Sequence, residues 1–213
     1  MTVATGTMLL VVRHGETAWN VEGRIQGHRD SPLTPAGVAQ ARAVAERLRG
    51  ERLSALFGSD LGRAVETARH VADATRLALR LHPGLRERAY GVFEGLTWEE
   101  IERTWPEDFA RARARDPEHV VPAGESAARF RERVLATLAR IAASSAGKRI
   151  AIVTHGGVLD VLYREVRKLS LAAPREHSVR NATLNVFRWS AGALELERWG
   201  DLDHLDVPAR EDF

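Results

Sequence analysis

The chain contains no cysteine. Disulfides, thiolate metal sites and cysteine nucleophiles are excluded together, and a cytoplasmic location is expected. Lysine is nearly absent too: Lys148 and Lys168 are alone in a basic complement of 31 that arginine otherwise fills. No apolar run reaches the ~18 residues of a membrane-spanning helix, so no membrane partner is expected. Residues 1–7 carry no basic stretch ahead of their short apolar one, which argues against a signal peptide. A surplus of one charge is also missing. The 29 acidic residues leave a net +2, and the arginines are interleaved with glutamates, a pattern that does not suit a nucleic-acid partner. No glycine-rich fingerprint follows a strand-like run, which excludes a dinucleotide-binding dehydrogenase. Of His28, His70, His82, His119, His177 and His204, only His70 has an acid four residues away (Glu66), and no metal site is expected.

What is present is an alternation. At 44% hydrophobic and 28% charged over 213 residues, the composition is that of an ordinary globular chain. "MLLVV" (8–12), "LSALFGSD" (53–60), "LALRLHPGL" (77–85) and "RIAIV" (149–153) read as strands. Between them, "LTPAGVAQARAVAERLRG" reads as a helix capped by Thr34, opened by Pro35 and ended by Gly50. "LGRAVETARHVADAT" and "AGESAARFRERVLATLARIAASS" also read as helices, the second with Phe130, Val134, Leu138 and Ile141 on one side. Helical composition broken by Pro106 and Pro117 predicts a short helical cap over about 97–122. "TLNVFRWS" and "ALELERWG" predict a closing hairpin. The expected fold is an α/β three-layer sandwich: a mainly parallel central sheet, helices on both faces and the cap, in one domain spanning 1–213.

The chemistry collects at strand ends. Arg13 and His14 follow the first run, Arg63 follows the second, Glu87 the third and His155 the fourth. The carboxyl ends of parallel strands share one edge, where such sheets bind ligands. Arginines suit phosphate oxygens, and a neutral imidazole can attack phosphorus and carry the phosphoryl group. Nearby guanidiniums oppose imidazole protonation and favour the attacking form of His14. Gly15 and Gly156 are expected to let backbone amides approach an anion. Glu87 is placed to hold a proton for a leaving oxygen once a dianionic phosphate is bound. A local alternative pairs Arg63 with Glu66 on its own helix. The arginines of "RARARD" (111–116) read as a solvated cap surface, and Trp98 and Trp105 as cap packing.

"LLVVRHGETAWN", "DSPLTPAGVAQA", "SDLGRAVETA", "LRERAYGVFEG", "PAGES" and "IVTHGG" occur in the order of one family. On these blocks the chain resembles the histidine phosphatase superfamily, the phosphoglycerate mutase-like group. The resemblance implies that His14 is the phosphorylated nucleophile, Glu87 the proton donor, and Arg13, Arg63 and His155 the phosphate pocket. It further implies phosphate contacts from Asn20, Gln26 and the Gly156 amide. The mutases of the family carry paired arginines and a lysine in an insertion. Here "RTWPEDFARARARDPEHVVPAGES" is short, lacks lysine and has no adjacent arginine pair. The expectation is therefore a phosphatase of phosphorylated small molecules, without a metal or cofactor, as a monomer or homodimer. The alternatives are a mutase primed by 2,3-bisphosphoglycerate and a non-catalytic module that binds phosphorylated ligands.

Overall fold

A computed structural model describes residues 6–206, 209 and 210. Residues 1–5, which carry most of the stretch read for a signal peptide, lie outside the described residues. The strands are β1 (Thr7–Arg13), β2 (Ala55–Gly58), β3 (Leu79–Leu81), β4 (Arg149–Thr154), β5 (Leu184–Ser190) and β6 (Ala193–Asp201). They form one sheet in the order β3-β2-β4-β1-β5-β6. β3, β2, β4 and β1 run parallel, whereas β5 and β6 are antiparallel additions. The mainly parallel sheet expected from the sequence is what forms.

The apolar run that opens the sequence explains the layering. Alternate residues of a strand point to opposite faces. Leu9 and Val11 enter one core, against helices α6 (Ala127–Ala143) and α7 (Gly156–Arg167). Leu10 and Val12 enter the other, against α2 (Pro35–Arg49) and α3 (Gly62–Thr75). All four are fully buried, and each such side chain contributes about 1.5–3 kcal/mol of burial. From Met8 to Val12, β1 therefore offers no polar position, and Arg13 ends that run.

Helix ends follow the predicted signals. Thr34 caps α2 by accepting from the Gly37 amide, with Pro35 at the first helical position. The hairpin closes through Ala191 (φ 51°) and Gly192 (φ 80°), a left-handed pair that matches the strand twist. A short helix α1 (Ala18–Glu22), capped reciprocally by Thr17 and Asn20, has no counterpart in the sequence reading. It has no buried residue, hence no apolar stripe to betray it. The third strand is shorter than expected: β3 is an exposed sheet edge, and Pro83–Leu85 turns as a 3-10 helix. In the cap segment, Pro106 does not interrupt a helix but starts one. α4 (Trp98–Thr104) meets α5 (Pro106–Arg113) at the single residue Trp105.

Candidate active site

The parallel strands deliver their ends to one edge. The His14 amide donates to the Thr154 carbonyl at 2.9 Å, so the β1–β4 ladder runs up to the two histidines. Their ring centroids lie 5.3 Å apart. Both imidazoles are buried, as are Arg13 and Arg63.

The tautomer of His14 is set by its own loop. Nδ1 lies 2.8 Å from the Gly15 carbonyl oxygen, which can only accept, so Nδ1 carries the proton. Nε2 keeps its lone pair and accepts from Arg63 Nε at 3.3 Å. Burial, then the charges of Arg63 and Arg13, hold the His14 pKa well below that of a free imidazole. The sequence argument from guanidinium charge gave the right direction, but burial is the larger cause. His155 is lowered in the same way, by burial first, then Arg63, His14 and Arg13. Its Nε2 lies 2.7 Å from Ser59 Oγ. Its Nδ1 is buried with no partner among the described residues.

Arg63 lies against His14 and not in the local alternative. It does not pair with Glu66; Nη1 donates to Asp30 Oδ1 at 2.8 Å and to the Arg29 carbonyl, and Nη2 donates to the Gly27 carbonyl. These bonds lock the guanidinium so that Nε meets His14. Asp30 also receives the Gly62 amide at 2.7 Å, tying the loop to the start of α3. Arg13 donates from Nη1 to the Val179 carbonyl at 2.5 Å. The same segment supplies Asn181, whose Nδ2 donates to the His14 carbonyl at 3.2 Å and to Asn20 Oδ1 at 3.3 Å.

Glu87 is held by backbone and not by its neighbours' charges. Oε2 accepts from the Gly157 amide at 2.9 Å and Oε1 from the Arg88 amide at 2.7 Å. Arg86 instead forms a two-point pair with Asp60. His28 and Arg133 reach the Glu87 carbonyl and fix the loop beneath it. A Cβ at Gly157 would lie 2.1 Å from Glu87 Oε1, so any larger residue there would displace the carboxylate.

Gly15 corrects one expectation. Its amide donates to Thr67 Oγ1 at 3.0 Å and is not offered to an anion. Its missing Cβ serves packing, since an added one would lie 2.4 Å from the Gly37 carbonyl oxygen. Gly156 does stand at the start of α7, at the positive end of its dipole. Gln26 is buried on the cavity wall, with Oε1 unpartnered among the described residues. Asn20 sits in the α1 cap, linked through Asn181 to the backbone of His14.

In front of Glu87, Arg63 and Gly156 opens a cavity of about 640 Å3 that the cap segment helps to wall. Arg113 and Arg115 are exposed, as read from the sequence, and also line it, and Trp98 both lines it and packs in the cap cluster. Arg115 is left-handed (φ 54°) just beyond the end of α5. Among the described residues, no cluster of three or more His, Cys, Asp or Glu could hold a metal ion. No described helix is long and apolar enough to cross a membrane.

Residues 9–202 match the profile of the histidine phosphatase superfamily (branch 1). The chain belongs to that superfamily. A phosphoglycerate mutase-like protein 4 of Arabidopsis thaliana is 39% identical, over 93% of this chain and 86% of its own length. A metal-independent phosphoserine phosphatase of the same plant is 37% identical, over 93% and 83%. The solved structure of Bacillus stearothermophilus YhfR superposes with a TM-score of 0.87 at 32% identity, covering 93% of this chain and 98% of that one. Members of this superfamily are enzymes of phosphoryl transfer, and so is this chain.

Sequence reasoning missed Ser59, Asp30, Thr67, Asn181 and Gly157. Asp30 and Ser59 sit in quoted motifs but carry no signal of which side chain they meet. Asn181 lies in a loop without periodicity. Only Gly157 left a trace, as the second glycine of "HGG".

Proposed function

We propose that the chain is a phosphomonoester hydrolase that works through a phosphohistidine on His14, with Glu87 as proton donor and no metal or cofactor. The observation that carries this reading is the state of His14: an uncharged imidazole whose Nδ1 is fixed on Gly15, with Nε2 turned to a buried guanidinium.

In the first step Nε2 attacks phosphorus in line. The N–P bond forms as the ester P–O bond breaks, and Glu87 passes its proton to the departing oxygen. Arg13, Arg63 and His155, with Gln26, Asn20 and the Gly156 amide, gather negative charge from the phosphoryl oxygens. Positive charge and positioning are what such a loose transition state needs. In the second step water attacks phosphorus and gives its proton to Glu87. The N–P bond breaks, inorganic phosphate leaves, and His14 returns to its neutral form.

Hydrolysis is preferred to phosphoglycerate mutation because the cap segment is short and lacks lysine and paired arginines. A mutase must exclude water while it returns the phosphoryl group to a small acid. The mutase-like relative keeps the second reading open: transfer primed by 2,3-bisphosphoglycerate. The substrates are phosphorylated small molecules and the setting is the cytoplasm.

The deciding experiment is a phosphate-release screen across phosphorylated metabolites, with and without 2,3-bisphosphoglycerate and EDTA. It is joined to trapping of an acid-labile, base-stable phosphoryl label. Release that ignores EDTA and the bisphosphate, with a label lost in His14→Ala, is the expected result. Efficient interconversion of the phosphoglycerates with little hydrolysis would make the enzyme a mutase.

A further inference from the structure

The cavity is larger and more apolar than a phosphoryl group requires. Its volume of about 640 Å3 falls in the range that encloses a drug-sized ligand. Trp98 and Phe109 of the cap meet edge to face at 6.0 Å, and Phe93 stands edge-on to Trp98 at 6.4 Å. All three line the same space as Glu87, and neither Trp98 nor Phe109 is fully buried. Ile25, Phe130 and Leu171 extend the apolar wall from α1's exit, α6 and the segment after α7. Two of the arginines on this wall are already neutralised, Arg24 by Glu22 and Glu100 and Arg164 by Asp160. Partly exposed aromatic rings in a concave site gain most from a ligand that is itself flat and apolar.

Resting on the hydrolase reading, we propose that the substrates are phosphomonoesters whose alcohol carries a flat aromatic or heteroaromatic body, seated against Trp98 and Phe109. A three-carbon acid or simple polyol phosphate would fill the phosphate end and leave those rings in water.

The test compares 2-phenylethyl phosphate with ethyl phosphate, whose leaving alcohols are chemically alike, and with 3-phosphoglycerate, on the full chain. Burial of one phenyl ring predicts kcat/KM at least about tenfold higher for the phenylethyl ester than for the ethyl ester. Trp98→Ala should shrink that ratio to about threefold or less. Phe109→Leu, which keeps the cap's apolar volume and removes only a flat face, should also lower it. Equal rates for the two esters, a ratio unmoved in both variants, or 3-phosphoglycerate outpacing the phenylethyl ester would overturn the proposal. If neither ester is hydrolysed, the metabolite screen decides the hydrolase reading, and calorimetry with the phosphonates decides the cavity. 2-Phenylethylphosphonate binding at least about tenfold tighter than ethylphosphonate supports the flat-ligand cavity, and equal affinity overturns it.

Discussion

At the scale of single residues, the site depends on which nitrogen or oxygen is already engaged. Ser59 holds His155 Nε2, and the buried Nδ1 has no partner among the described residues. Replacing Ser59 by alanine removes one hydrogen bond of about 1 kcal/mol and frees the ring to turn. A fall in kcat of about fivefold, measured by phosphate release, is the expected outcome. Glu87→Gln keeps the side chain's size and one of the two accepted amide bonds but cannot supply a proton. General-acid catalysis contributes about 10²–10⁴-fold, so alkyl phosphates should slow by that order while 4-nitrophenyl phosphate changes far less. A uniform loss across leaving groups would mean that Glu87 only orients substrate. Arg63 shows the limit of local reasoning: Glu66 lies one turn away in sequence, yet Asp30 across the loop takes the charge.

At the scale of elements, the nucleophile loop and α2 are pressed together backbone to backbone. A Cβ on Gly15 would meet the Gly37 carbonyl at 2.4 Å, and one on Gly37 would meet the Glu16 carbonyl at 2.0 Å. Gly15→Ala should therefore cost about 1–3 kcal/mol of stability in a urea melt. Activity should drop as well, because the shift displaces His14 by way of its neighbour's carbonyl. The helices themselves were legible from caps and apolar spacing: Thr34, Pro35 and the stripe Phe130, Val134, Leu138, Ile141 needed no tertiary information. α1 was not legible, because a five-residue helix with no buried face leaves only its cap.

At the scale of the whole molecule, two consequences follow from burying neutral imidazoles among fixed cations. The first concerns pH. Unfolded histidines titrate near ~6.5, whereas burial and the arginines hold His14 and His155 lower. Above that value neither state binds a proton. Below it, the unfolded chain takes up protons that the native chain refuses, so stability falls as pH drops until the native imidazoles also titrate. The melting temperature should decline from pH 7 to pH 5, and the slope should be shallower in His155→Asn. The second concerns ligands. Orthovanadate at about 100 times its Kd stabilises the native state by about 2.7 kcal/mol, or roughly 5–10 °C in a chain of this size. That shift should vanish in His14→Ala.

The sequence by itself determined the layers, the parallel strands and the edge at which Arg13, His14, Arg63, Glu87 and His155 gather. Periodicity dictates which face is buried, and parallel strands share a carboxyl end whatever the packing details. Only the tertiary structure decided what each group does with its polar atoms. Gly15's amide went to Thr67, Arg63 was locked by Asp30 and two carbonyls, Glu87 was held by the Gly157 amide, and Asn181 tied His14 to Asn20. Such partners lie up to 167 residues apart in the chain. They are chosen by ångström-scale distance between folded segments, a quantity that no local spacing of residues encodes.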